Sequence, residues 1–210
     1  LFINGINHQK GSASLRKAAF LISFVDIDNH YHLKCIYIIM KIIINYSEVV
    51  QLSKALIAFA SMSGNTEDIA MIIRDVFTEH SLDVSCQEMD DVDIDSLPEF
   101  DYILIGSYTW GDGDLPYEAE AFYEEVSAMD LKGKKAACFG SGDYAYPQFC
   151  EAVNTFYSML EQTGADLFAE TLKCELAPET AEDKECCREF AAGFIRWAEH
   201  QKRQAEPHVS

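Results

Sequence analysis

The chain has 210 residues, 49% of them hydrophobic and 12% aromatic, enough for one domain with a full core and some length to spare. Against 16 Lys and Arg stand 35 Asp and Glu, a formal net charge of −19. Residues 1–53 hold only five bases and three acids, so residues 54–210 carry 11 bases and 32 acids, a net −21. Such acidity repels nucleic acid and anionic membrane and steers the chain toward basic partners, unless it serves solubility alone. The seven cysteines (Cys35, Cys86, Cys138, Cys150, Cys174, Cys186 and Cys187) are odd in number and irregular in spacing. No C-x-x-C pair occurs, so neither a disulfide framework nor a zinc or iron–sulfur site is indicated. The vicinal pair Cys186–Cys187 reads as incidental on a helix, and a reducing, cytoplasmic setting fits best.

Residues 1–53 are rich in Ile, Asn, Lys, Tyr and His and lack a rhythm of turns and elements. The apolar run 35–45 (CIYIIMKIIIN) is broken by Lys41 and falls short of the ~20 residues that span a bilayer. Arg16 and Lys17 before 18–25 (AAFLISFV) faintly suggest a secretory leader, but the stretch that follows is acidic and polar, without a small-residue cleavage site. Starting at Leu1, this N-terminal extension reads as non-native upstream sequence translated in frame, or as disordered. The competing reading is a genuine appendage, such as an extra strand or a partner-binding segment. The domain proper is expected over 54–210.

From Lys54 the pattern changes. Residues 55–60 (ALIAFA) form a short apolar run of buried-strand type. Residues 66–80 then show helical spacing, with Ile69, Ile72, Ile73, Val76 and Phe77 on one face. A second strand is expected at 82–88, a third at 102–107 (YILIGS), a fourth at 135–140 (KAACFG) and a fifth at 167–176. Helices are expected at 117–129, 148–163 and 179–204, the last ending with Lys202 and Arg203, which suit a helix C-terminus. Near-continuous apolar strands alternating with helices predict an α/β fold: a doubly wound, five-stranded parallel sheet with helices on both faces. In such sheets ligands sit beyond the carboxyl ends of the strands.

Three segments with chemical character fall at such ends. After the first strand come Ser61, Met62, Ser63, Gly64, Asn65, Thr66 and Glu67, leading into a helix. Successive N–H groups there form an anion-binding concavity. The absence of Lys and Arg, and of a Walker pattern, points to a tightly held monophosphate rather than a turning-over triphosphate. The plain alternative is an ordinary helix cap with Glu67 and Asp68 in the first turn. After the third strand come Tyr108, Thr109, Trp110, Gly111, Asp112, Gly113, Asp114, Leu115 and Pro116. A Trp in a Gly-Asp turn should cover something planar, unless it folds onto the core. After the fourth strand come Gly140, Ser141, Gly142, Asp143, Tyr144, Ala145 and Tyr146. Its glycines nominally fit a dinucleotide pattern, but too late in the chain and without the following strand.

Together, SMSGNTE, YTWGDGDLP and GSGDYAYPQFC resemble the phosphate loop and the two flavin-contacting loops of the flavodoxin family. The likeness runs from Lys54 to the C-terminus and is nearest the short-chain, Bacillus-like type, because the fifth strand shows no long insertion. The resemblance implies a flavodoxin-like fold and one non-covalently bound flavin mononucleotide (FMN). By position, Ser61, Ser63, Gly64, Asn65 and Thr66 would hold the phosphate, with Met62 giving only its N–H. Trp110 would lie on the inner face of the ring and Tyr146 on the outer. Thr109, Gly111, Asp112 and Gly113 would border the ring, and Ser141, Gly142 and Asp143 its pyrimidine edge, with Tyr144 a neighbour. The Gly111–Asp112 peptide would reorient on one-electron reduction. The implied function is low-potential, single-electron transfer, without enzymatic turnover, between basic-surfaced partners such as a flavodoxin reductase and an electron-accepting enzyme. The carrier would be a cytoplasmic monomer, bound to neither nucleic acid nor membrane. Two other classes compete: an FMN-dependent NAD(P)H:quinone-type reductase on the same fold, and a flavin-free receiver domain. The receiver needs a phosphoacceptor Asp at the end of the third strand, where Ile105, Gly106 and Ser107 stand instead.

Overall fold

The computed structural model describes residues 52–205. The reading of 1–53 as an extension therefore lies outside the described residues except for Leu52 and Ser53, and Cys35 lies outside them too. The elements run in the order β1 (Lys54–Ala60), α1 (Asn65–Glu79), β2 (Asp83–Glu88), β3 (Tyr102–Ser107), α2 (Tyr117–Ser127), β4 (Lys135–Gly142), α3 (Glu151–Gln162), β5 (Asp166–Leu167), β6 (Leu172–Glu175) and α4 (Ala181–Ala205). Two 3-10 turns, Met89–Asp91 and Ile94–Glu99, link β2 to β3.

The strands are parallel in the order β2-β1-β3-β4-β5, with β6 also pairing with β4. This is the strand order of the flavodoxin-like class, whose ligand site lies where β1 and β3 part company. Alternation along β1 separates the two cores. Ala55, Ile57 and Phe59 face α1 and α4, and share their core with Ile73, Phe77, Phe168 and Phe194. Leu56, Ala58 and Ala60 face α2 and α3, with Phe122, Val126, Phe156 and Leu160. A sheet buried on both sides explains why β1 and β3 read as unbroken apolar runs.

Three expectations need correction. The fifth strand is not continuous over 167–176: it is two short pieces, β5 and β6, each paired with β4. Just past β5, Phe168 N–H still donates to the Ala136 carbonyl (2.9 Å) while its side chain enters the aromatic cluster of Phe190, Phe194 and Trp197 on α4, and strand pairing resumes at Leu172. The fourth strand runs past Gly140, since Ser141 and Gly142 pair with Cys174 and Glu175. The third helix starts at Glu151 rather than 148, because Cys150 takes the left-handed conformation (φ 52°) and turns the chain first.

Close approach fixes small residues in the two central strands. A Cβ at Gly140 would lie 2.1 Å from the Ser107 carbonyl oxygen and 2.5 Å from Val153 Cγ2. Gly140→Ala is therefore expected to destabilise the fold by about 1–3 kcal/mol through overpacking. Gly193→Ala in α4 would only reach ordinary contact with Phe168, 3.4 Å away, and should shift stability by less than about 1 kcal/mol. Denaturant unfolding of both variants checks this, and equal losses at the two sites would contradict it.

Candidate cofactor site at the carboxyl edge of the sheet

The loop after β1 ends in a helix start that has no side-chain cap. Gly64 occupies the cap position with φ 89°, a conformation that glycine adopts without penalty. Among the described residues, the N–H groups of Met62, Ser63, Gly64, Asn65 and Thr66 donate to no protein acceptor. The next two are satisfied: Glu67 N–H donates to Ser61 Oγ (3.3 Å) and Asp68 N–H to the Gly64 carbonyl (2.9 Å). Ser61 thus shapes the loop.

The loop after β3 is a tight reversal. Trp110 and Asp114 exchange backbone hydrogen bonds of 2.9 Å in both directions, and Gly113 N–H also donates to the Trp110 carbonyl. Gly113 has φ 118°, a conformation closed to side-chain-bearing residues, so the turn requires glycine there. The reversal holds Trp110 outward. Its ring is 53% exposed and touches Tyr108 edge-on, with centroids 6.4 Å apart, so it does not fold onto the core. Tyr108 donates its hydroxyl to Glu118 Oε1 at 2.8 Å, and burial together with that bond pushes its phenol up to about 12. Thr109 has a structural task, because its hydroxyl accepts from Ala152 N–H (3.1 Å) and caps the start of α3.

The loop after β4 is pinned by Asp143, whose side chain accepts from Ala145 N–H (2.7 Å) and whose carbonyl accepts from Tyr146 N–H (3.0 Å). Tyr146 is 56% exposed. Tyr144 instead stacks on Phe149 (centroids 4.1 Å, 25° between planes). A buried hydrogen bond of 2.8 Å joins Thr66 Oγ1 to Ser141 Oγ and ties the first loop to the third.

A cavity of about 470 Å³ lies between the loops. Met62, Ser63, Asn65, Thr109, Trp110, Gly111, Ser141, Gly142, Asp143 and Tyr146 line it, all of them anticipated from sequence. Ser61, Gly64, Thr66, Asp112, Gly113 and Tyr144 do not form its wall. Tyr108, Gln148, Cys150 and Leu176 do, and were not assigned to it. Leu176 follows the carboxyl end of β6, the position where sheets of this type hold ligands, and that rule could have found it. Gln148 and Cys150 were hidden inside the expected third helix. The Cys150 thiol, pushed up to about 12 by burial, is an inert wall. A neighbouring groove shares Met62, Tyr108 and Trp110 with the cavity and is bordered by Asp114, Tyr117, Glu118, Glu120 and Glu124.

The Flavodoxin family profile matches residues 57–190. The chain belongs to the flavodoxin family. It is 60% identical over 159 residues to probable flavodoxin 1 of Bacillus subtilis, covering 76% of this chain and 100% of that one. Among solved structures, oxidised flavodoxin 2 of Bacillus cereus superposes with a TM-score of 0.67 at 52% identity, over 69% of this chain and 99% of that chain. The flavodoxin of Streptococcus pneumoniae TIGR4 gives 0.66 at 39% identity, over 69% and 99%. Flavodoxins bind FMN and carry low-potential electrons between redox partners, and they are not enzymes. The quinone-reductase alternative is not favoured. The residues present fit that cofactor: uncommitted amides suit its phosphate, and two outward-facing aromatic rings across a cavity suit its planar ring. Among the described residues no helix is long and apolar enough to cross a membrane, and no side-chain cluster could hold a metal ion.

The Thr66–Ser141 contact generates a test. Replacing either residue with Ala leaves the other hydroxyl buried without its partner, at an expected cost of about 1–2 kcal/mol. The double variant should lose less than the sum, with a coupling of roughly 1 kcal/mol in denaturant unfolding. Additive losses would mean that the two loops are not joined through this bond.

Proposed function

We propose that the cavity holds FMN with its phosphate on the open amides of Met62 to Thr66 and its ring between Trp110 and Tyr146. The observation that carries this reading is the pairing of a helix start whose cap residue offers no side chain with two aromatic residues, both more than half exposed, that line one cavity. Neutral donors at the positive end of α1 suit a permanently bound phosphate, since no mobile cation need be displaced or reset. Asn65 and Ser63 add side-chain donors at the cavity wall, while Thr66, bonded to Ser141, offers its N–H.

FMN supplies the reversible one-electron chemistry. The chain's residues set its potential. Trp110 and Tyr146 keep water off the two ring faces and offer electron-rich surfaces to them, which favours the uncharged ring over an anionic one. Asp112, Asp114, Glu118, Glu120 and Asp143 surround the same region, and like charge nearby resists the addition of another negative charge. Gly111, with φ 53°, lowers the cost of turning the Gly111–Asp112 peptide to offer a different hydrogen-bonding group to the ring. The acid groups that border Trp110, together with the net −21 of residues 54–210, suit partners with basic surfaces, reached by a monomeric carrier in the cytoplasm.

Redox titration tests the reading. Tyr146→Ala should bind FMN more weakly and make the lower of the two potentials less negative, because water reaches the ring and screens the carboxylates. Asp112→Asn with Asp114→Asn should move that potential the same way by a smaller amount. The same pair should slow electron transfer to a basic partner at low salt and match the parent at high salt. Unchanged potentials in both variants would remove the aromatic and acidic surroundings as the cause.

We further propose that the FMN-binding domain begins at Lys54 and spans 54–210, since β1 begins there and, among the described residues, its pairing partners β2 and β3 follow it. A chain starting at Ser53 should fold, turn yellow with FMN and bind it with the parent's affinity. A colourless or insoluble product would place part of the domain upstream.

A further inference from the structure

Two thiols outside the cavity stand in contact. Cys174, on β6, and Cys187, on α4, have their sulfurs 3.9 Å apart. Cys187 is completely buried, whereas Cys174 is partly exposed. They join a short strand to the last helix. β6 has four residues and, among the described residues, pairs with β4 alone. The start of α4 is fixed by Thr180 and Asp183, which exchange hydrogen bonds in the manner of a cap, so Cys187 is presented to β6 from a pinned helix.

We propose that Cys174 and Cys187 form a reversible dithiol that hydrogen peroxide closes into a disulfide, stapling β6 to α4. Cys174 is the attacking thiol. It reaches solvent, and the hydrogen bond from the Cys187 thiol holds it below the ordinary thiol range against the opposing effect of burial. The same bond and burial push Cys187 up, so it stays protonated until it is needed. In the first step the Cys174 thiolate attacks one peroxide oxygen and the O–O bond breaks. Cys174 becomes a sulfenic acid, oxidised by two electrons, and hydroxide leaves. In the second step the Cys187 sulfur attacks the Cys174 sulfur, the S–O bond breaks, and the departing hydroxide takes the Cys187 proton as water. Two thiols and one peroxide give one disulfide and two waters. The sulfurs must approach by roughly 2 Å to reach bonding distance, a movement within reach of side-chain rotation. A dithiol reductant reverses the change by exchange.

The staple bears on the cavity through β6. Cys174 pairs with Ser141, its carbonyl accepts from the Cys150 thiol at 3.8 Å, and two residues on, Leu176 N–H donates to the Gly142 carbonyl at 2.7 Å. Ser141, Gly142, Cys150 and Leu176 all line the cavity. Oxidation thus fixes the strand against which one wall of the cavity is built. Cys186, the exposed neighbour, lines a separate groove with Glu79, His80 and Arg188 and takes no part.

The test uses the full chain loaded with FMN, treated with an equimolar amount of hydrogen peroxide, then alkylated and mapped without reduction. A peptide linking Cys174 to Cys187 should dominate, with two fewer titratable thiols, and dithiothreitol should restore both. In Cys187→Ser the link disappears and a sulfenic acid accumulates at Cys174, trapped by dimedone. Cys186→Ser, an exposed change that leaves the fold intact, should form the link at the parent's rate. The proposal is overturned if Cys186 or another cysteine is oxidised while Cys174 and Cys187 remain free, or if the main link includes Cys186. These readouts count thiols and peptides, so they stand whether or not FMN occupies the cavity as proposed.

Discussion

The amides at the start of α1 are the constraint around which the rest of the edge is built. A helix normally closes its first N–H groups with its own Ser, Thr, Asp or Asn, and leaving a buried donor open costs about 1–3 kcal/mol. Here the cap position is Gly64, which has no side chain to give; Ser61 Oγ closes only the Glu67 amide, and the Thr66 hydroxyl is bonded to Ser141. Three of the five residues that carry the open donors, Met62, Ser63 and Asn65, line the cavity that the second and third loops border. Each loop is held by its own internal bonds, the Trp110–Asp114 exchange in one and the Asp143 turn in the other. These bonds hold each loop in the shape that borders the cavity, and preorganisation of that kind lowers the entropy lost on binding.

Most of this was legible in the sequence because it depends on local chemistry. Strand and helix periods follow from burial on two faces, and glycine, hydroxyl and aromatic residues stand out at strand ends. What escaped depends on contacts between distant parts of the chain. Ser141 and Gly142 have poor strand propensity, yet pairing with Cys174 and Glu175 keeps them in the ladder. Phe168 looks like a strand residue until it meets Phe194 and Trp197 on a helix that comes later in the chain. Thr109 lines the cavity as expected, and its hydroxyl also caps a helix 43 residues away, a second task that its neighbours in sequence do not announce. No pattern within a short window reports these choices.

The break between β5 and β6 links these observations. Beyond the break β6 resumes against the last residues of β4, beside the cavity. The alternation of sides carries across it: Leu167 packs with α2 and α3, whereas Phe168, Leu172 and Cys174 face the core of α1 and α4. Cys174 therefore reaches Cys187 on α4, while Leu176, two residues on, lines the cavity.

Charge and aromatic surface act on the ring at different ranges, and salt can tell them apart. In the proposed complex Trp110 and Tyr146 would act by contact and by displacing water, neither of which depends much on ionic strength. The acids beside Trp110 act through space in a largely solvated rim, where a Debye length of about 8 Å at physiological salt already weakens them. The same acids govern approach of a basic partner, which is more strongly screened because the partner begins farther away. Raising salt should thus slow partner encounter steeply while moving the lower potential only slightly upward. If the potential instead rose steeply as encounter slowed, the rim would have to be setting both, and the aromatic pair would be reduced to holding the cofactor in place.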